Sequence, residues 1–169
     1  MKTSSLKTAS CAVIAATFLF APIATATFAG QMAGNTVQFN TAQIDGLNIA
    51  YREAGDPANP TVLLLHGFPT SSHMFRNLIP ALSDRYHVIA PDYPGFGNSA
   101  KPDVSEFDYS FDNLANLMEK LVDKLEVKKY SLYLMDYGAP IGFRMASVNP
   151  PRTESLFIRN GIAYDACIR

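Results

Sequence analysis

The segment Leu134-Met135-Asp136-Tyr137-Gly138-Ala139-Pro140 joins an apolar run to a second apolar stretch through a turn with glycine just past its apex. A side chain at such an apex is held at the end of a strand, clear of the backbone, and here it is an aspartate. A carboxylate can displace a leaving group at carbon and become an ester. The N–H of Tyr137 opens the following helix, whose positive end favours an anion. An aspartate that merely caps the helix fits the same residues, so the turn alone leaves both readings open. A second segment, His66-Gly67-Phe68-Pro69, follows the run Val62-Leu63-Leu64-Leu65. Gly67 permits a sharp turn that could aim the N–H of Phe68 into the same space, although an apolar run followed by His-Gly also describes an ordinary turn. The third, PDYPGFGNS at 91–99, lacks the full spacing of a phosphate loop, and no helix starts directly after it, which argues against phosphate binding.

The flanking pattern predicts the elements that must position these segments. Residues 37–44 and 47–52 read as two strands joined by the hairpin signal Asp45-Gly46. The continuous apolar runs at 62–65 and 86–90 read as strands buried on both faces of a parallel sheet. Residues 75–82 read as a short helix. Ser110 can cap a longer one whose apolar face is Phe111, Leu114, Leu117, Met118, Leu121, Val122 and Leu125, with Glu119, Lys120, Asp123 and Lys124 on the other side. A strand at 130–135, a helix at 139–147 and a strand at 155–158 complete the series. A hairpin followed by strand–helix alternation predicts an α/β fold, a mostly parallel sheet with helices on both faces. Ligands bind at the carboxyl ends of the strands in such sheets, and the three segments fall at those ends.

The 169 residues are 48% apolar and 17% charged, with net charge −1, which suits one globular domain and gives no basic footprint for nucleic acid. The first 26 residues have the layout of a secretory signal peptide. Lys2 and Lys7 precede an apolar run at 11–23 that ends in Ala24-Thr25-Ala26, and Thr27-Phe28-Ala29 offers a second cleavage site. The run is short for a membrane span and holds Pro22, so the expectation is an exported, periplasmic or secreted chain with no membrane association after cleavage. Residues 27–35 read as a leader and 36–169 as the folded domain. Cys11 leaves with the signal, and Cys167 alone cannot form an internal disulfide or a cysteine metal site. No metal or organic cofactor is indicated.

Taken in order, the strand with HGFP, then PDYPGFGNS, then LMDYGAPIGFR resembles the α/β-hydrolase superfamily. Within it the chain is similar to the aspartate-nucleophile branch of epoxide hydrolases and haloalkane dehalogenases. The resemblance runs from Leu47 to Asn160. It implies Asp136 as nucleophile and the backbone N–H groups of Phe68 and Tyr137 as an oxyanion hole, with His66, Gly67, Pro69 and Gly138 supporting the motifs. It implies a small-molecule substrate, with epoxide, haloalkane and ester open in that order. That branch usually carries tryptophan where this chain has Tyr137, and dehalogenases often carry asparagine after His-Gly where it has Phe68. Phe68-Pro69 is closer to the epoxide hydrolase pattern. Leu134 is larger than the residue many family members place two before the nucleophile.

The resemblance also implies a histidine and an acid after the nucleophile, and no histidine follows Asp136. His66 belongs to a turn, His73 precedes the first helix, and His87 begins a strand at the end away from the site. Asp165 follows Asp136 but has no histidine to orient. The cap and the later strands of the family are not present in these 169 residues. The expectation is therefore a partial domain, inactive alone, whose last strand is an unprotected sheet edge. Two alternatives stay open: a non-catalytic α/β fragment or interaction module, and a domain completed by a C-terminal half on another chain.

Overall fold

The computed structural model describes residues 36–161, and the signal, leader, Asp165 and Cys167 lie outside the described residues. Strand β1 (Gln38–Ile44) turns through Asp45 and Gly46, both at positive φ, into β2 (Leu47–Ala54). Two consecutive left-handed residues give the tight hairpin that pairs Ile44 with Leu47. Strands β3 (Thr61–Leu65), β4 (His87–Pro91), β5 (Tyr130–Asp136) and β6 (Thr153–Gly161) follow, with helices α1 (Leu78–Leu82), α2 (Phe111–Lys124) and α3 (Gly138–Val148) between them. The sheet order is β1-β2-β4-β3-β5-β6. The two pairings that involve β2 are antiparallel and the other three are parallel.

Every residue of β3 and β4 is buried, as their unbroken apolar runs require of central parallel strands. Alternation divides their side chains between two cores. Leu63, Leu65 and Ile89 join Leu117, Met118 and Leu121 of α2 and Ile141 and Met145 of α3. Val62, Leu64, Val88 and Ala90 face the opposite way, onto Phe75 and Ile79. Helices thus cover both faces.

The expected helix at 75–82 is instead a 3-10 turn, Ser72–Phe75, followed by the short α1. Pro80 is the cause. Its missing N–H is tolerated only within the first turn of a helix, so α1 cannot begin much before Leu78. Ser71 caps the 3-10 turn by accepting the N–H of His73.

Helix α2 starts where Ser110 Oγ accepts the N–H of Asn113, and its expected apolar face is buried apart from the partly exposed ends Phe111 and Leu125. Glu119 departs from expectation. It is buried rather than solvated, accepting from Tyr130 Oη at 2.5 Å, Arg152 Nη1 at 2.9 Å and Asn149 Nδ2 at 3.3 Å. Burial and the Glu119 carboxylate hold the Tyr130 phenol well above its ordinary pKa, so it remains a donor.

Among the described residues β6 pairs only with β5, and its outer edge is open. Leu156, Phe157 and Ile158 are 41–56% exposed along it.

Candidate active site

Asp136 ends β5 at φ +50°, a left-handed conformation uncommon outside glycine that aspartate tolerates better than most residues. The pairing with β6 slips in register between Met135 and Asp136, so the strand breaks at the turn. Asp136 Oδ1 accepts two backbone hydrogen bonds, from Phe68 N at 2.9 Å and from Tyr137 N at 2.7 Å. A capping aspartate would accept from the second or third residue of its helix. This one accepts from the next residue and from a loop 68 positions away, and the N-cap position itself is Tyr137.

Two glycines permit that convergence. A Cβ on Gly67 would lie 2.3 Å from Asp136 Cβ, and one on Gly138 would lie 2.3 Å from the Leu65 carbonyl oxygen. Side chains at either position would separate the β3 turn from the β5 turn. The Gly67 carbonyl is tied down by Thr70 N and Thr70 Oγ1, which fixes the loop through Phe68 and Pro69.

Leu134, oversized for its place, is fully buried because Gly142 makes room one turn into α3. A Cβ there would meet Leu134 Cδ2 at 2.2 Å.

None of the three histidines has Asp136 among its hydrogen-bond partners. His66 is buried, stacked 4.2 Å from the Tyr93 ring. Its Nδ1 meets the Gly67 carbonyl at 3.0 Å and its Nε2 receives the Tyr93 N–H at 3.4 Å. Burial lowers its pKa, so both nitrogens of a neutral ring are already used. His73 lies 3.2 Å from Arg52 Nη2. His87 meets Glu53 at 2.7 Å at the start of β4, the opposite end of the strand from the site.

The family model for the alpha/beta hydrolase fold matches residues 60–166. The chain belongs to the α/β-hydrolase family. It is 47% identical over 135 residues to an uncharacterized hydrolase of Saccharomyces cerevisiae, spanning 79% of this chain and 46% of that protein. It is 37% identical over 133 residues to a haloalkane dehalogenase of Bradyrhizobium diazoefficiens, spanning 79% of this chain and 40% of that one. The solved structure of the epoxide hydrolase CorEH superposes with a TM-score of 0.69 at 35% identity, covering 75% of this chain and 43% of that one. The chain thus spans less than half the length of these relatives and is haloalkane dehalogenase-like over the part it spans.

In this α/β-hydrolase a cavity of about 620 Å³ opens beside Phe68 and Tyr137, the two residues that hold the Asp136 carboxylate. Its other walls are Phe96, Tyr109, Ser110, Phe111, Asp112, Leu114 and Arg144. Sequence reading did not assign this aromatic wall to the site, because it comes from the loop after β4 and from the first turn of α2. The structure gives Gly97 of that loop a reason other than phosphate binding. Buried Asp92 accepts from Ser72 N at 2.7 Å and Asn98 N at 2.9 Å, so the loop wraps a carboxylate of its own chain. A Cβ on Gly97 would strike that carboxylate at 2.1 Å.

Proposed function

We propose that Asp136 is the nucleophile of a hydrolase that opens epoxides or carbon–halide bonds through an aspartyl ester. The observation that carries this reading is the pair of N–H groups on one carboxylate oxygen. With Oδ1 held by Phe68 and Tyr137, Oδ2 is the oxygen available to attack carbon. The ester so formed keeps Oδ1 as its carbonyl oxygen, already between two donors. When water adds to that carbonyl, negative charge develops on Oδ1 with both donors at 2.7–2.9 Å, the range an oxyanion hole needs. One arrangement therefore serves alkylation and hydrolysis with little movement.

Hydrolysis also needs a base to deprotonate water. His66 has both nitrogens engaged, His73 Nδ1 faces Arg52 Nη2 at 3.2 Å, His87 is at the far end of its strand, and no histidine follows Asp136 in these 169 residues. We therefore read this chain, by itself, as able to form the ester and unable to release it. Intact-mass analysis after exposure to an epoxide or an alkyl bromide tests this. A stable adduct mapped to Asp136 and abolished in Asp136→Asn is expected. Sustained turnover by the purified chain would refute the stop at the ester, and absence of any adduct would refute the nucleophile.

A second reading is favoured by the open edge of β6 with Leu156, Phe157 and Ile158 exposed. In it, a polypeptide carrying further strands and the missing histidine completes the site. Turnover on adding such a polypeptide, and none with either part alone, is the result this reading requires. The amino-terminal pattern of Lys2, Lys7 and the apolar run supports export of the product; secretion of a reporter fused after residue 29 tests it.

A further inference from the structure

We propose that Thr70 is a positioning residue for cleavage of the Asp136 ester, its hydroxyl polarising and orienting the peptide group whose N–H, that of Phe68, holds Asp136 Oδ1. The inference rests on the reading of Asp136 as nucleophile and deepens it. It assigns part of the power to cleave the ester to a side chain that reaches the carboxylate only through the Gly67–Phe68 peptide.

The Gly67 carbonyl and the Phe68 N–H belong to one peptide group, whose resonance couples its two ends. Donors on the oxygen draw electrons toward it and leave the N–H more positive, so hydrogen bonds at the two ends strengthen each other. Three donors meet that oxygen. Thr70 N donates at 3.0 Å and Thr70 Oγ1 at 2.8 Å. The third is His66 Nδ1 at 3.0 Å. His66 Nε2 receives the Tyr93 N–H at 3.4 Å, so the one proton of the neutral ring sits on Nδ1. At the other end of the same peptide, Phe68 N donates to Asp136 Oδ1 at 2.9 Å.

Of the three donors, the Thr70 hydroxyl is the one that a substitution removes without disturbing the core. His66 is buried against Tyr93, and the Thr70 N–H is backbone. The Thr70 side chain is exposed. Its single hydroxyl proton has another acceptor in reach, Met74 Sδ at 3.2 Å, but a thioether accepts weakly and the carbonyl is nearer.

The contribution falls on one step. When Oδ2 attacks carbon, the carboxylate loses charge, so a stronger donor at Oδ1 does not speed ester formation. When a nucleophile adds to the ester carbonyl, charge gathers on Oδ1 and a stronger donor lowers that barrier. Hydroxylamine is such a nucleophile and needs no histidine. Its nitrogen bonds the Asp136 carboxyl carbon, charge passes through Oδ1, and the bond from that carbon to Oδ2 breaks. Oδ2 leaves with the alkyl group as an alcohol, taking the proton that nitrogen gives up, and Asp136 becomes a hydroxamate.

The test uses the full chain, alkylated at Asp136 with 2-phenylethyl bromide and then treated with hydroxylamine, and follows both steps by intact mass. In Thr70→Val the ratio of cleavage rate to formation rate should fall about threefold or more. That is the loss expected from weakening by about a tenth to a third a donor whose full removal costs about 100-fold or more. Thr70→Ser keeps the hydroxyl and should restore the ratio. Thr70→Ala, which adds no bulk, carries the same expectation as valine if the valine variant does not fold. An unchanged ratio, no rescue by serine, or formation and cleavage falling together overturns the role of Thr70 while leaving Asp136 as nucleophile. No Asp136 adduct on the wild-type chain overturns both.

Discussion

Arg152→Met tests whether Glu119 is held in the fold as a buried ion pair. Glu119 and Arg152 meet at 2.9 Å, with side chains 12% and 20% exposed. Removing the arginine leaves a carboxylate in a mostly dry site with Tyr130 and Asn149 still donating. Breaking a buried pair from one side costs about 3–5 kcal/mol. The two surviving donors and the residual exposure place this case near the lower end, about 3 kcal/mol. The bond from Arg152 to Asp123 adds little, because Asp123 is 66% exposed. Glu119→Leu alone should cost about 2 kcal/mol, mainly through the buried Tyr130 hydroxyl left without its acceptor. The double variant removes both charges, so it should cost no more than Glu119→Leu alone, about 2 kcal/mol, the Tyr130 hydroxyl being without its acceptor in both. A coupling energy of about 3 kcal/mol follows, read from urea unfolding of the four proteins by circular dichroism. Costs that simply add, with Arg152→Met below about 1 kcal/mol, would show that the carboxylate is solvated and would refute this account of α2 docking.

Three other outcomes are expected. Gly142→Ala should destabilise the fold by about 1–3 kcal/mol, because its Cβ would overlap Leu134 Cδ2; thermal melts should show that adding Leu134→Ala costs less than the sum of the two single changes. Tyr93→Phe should raise stability by about 1 kcal/mol or more, because the Tyr93 hydroxyl is buried with no partner among the described residues; a lower melting temperature would mean that the hydroxyl is satisfied. Glu53 is held below its ordinary pKa of 4.5, first by its hydrogen bond from His87, against the cost of burial. Its contribution is therefore present above about pH 4.5 and lost as pH falls through the lowered folded value. The stability gap between wild type and Glu53→Gln should be full near neutrality and close on acidification, as checked by melts across that range.

The sheet and its order of elements were legible because they rest on local signals. Asp45-Gly46 permits the tight hairpin, unbroken apolar runs mark strands with no solvent face, and Ser110 marks the start of α2. The helix expected at 75–82 misread a single residue, since the apolar spacing runs through Pro80 but the hydrogen-bond ladder cannot. Glu119 shows a different limit. Helical periodicity assigns a carboxylate to the solvated side, and only Tyr130 and Arg152, 11 and 33 residues away, reverse that assignment.

The centre of the site lay between these cases. Asp136, Phe68 and Tyr137 could be named together because short motifs fix each turn, yet their convergence on one oxygen depends on close approach of two strands. Gly67 and Gly138 carry that requirement in the sequence. Leu134 looked like an obstacle to it while read at its own position. The accommodating residue, Gly142, is eight positions on and faces back across the strand–helix junction. An elbow of this kind is therefore a property of a pair of surfaces: a large residue under the strand is compatible with it wherever the helix above gives up a Cβ. The aromatic wall follows the same logic. Phe96 and Phe111 join the cavity only after Asp92 has wound its loop and Ser110 has set the start of α2, so no motif around Asp136 could have named them.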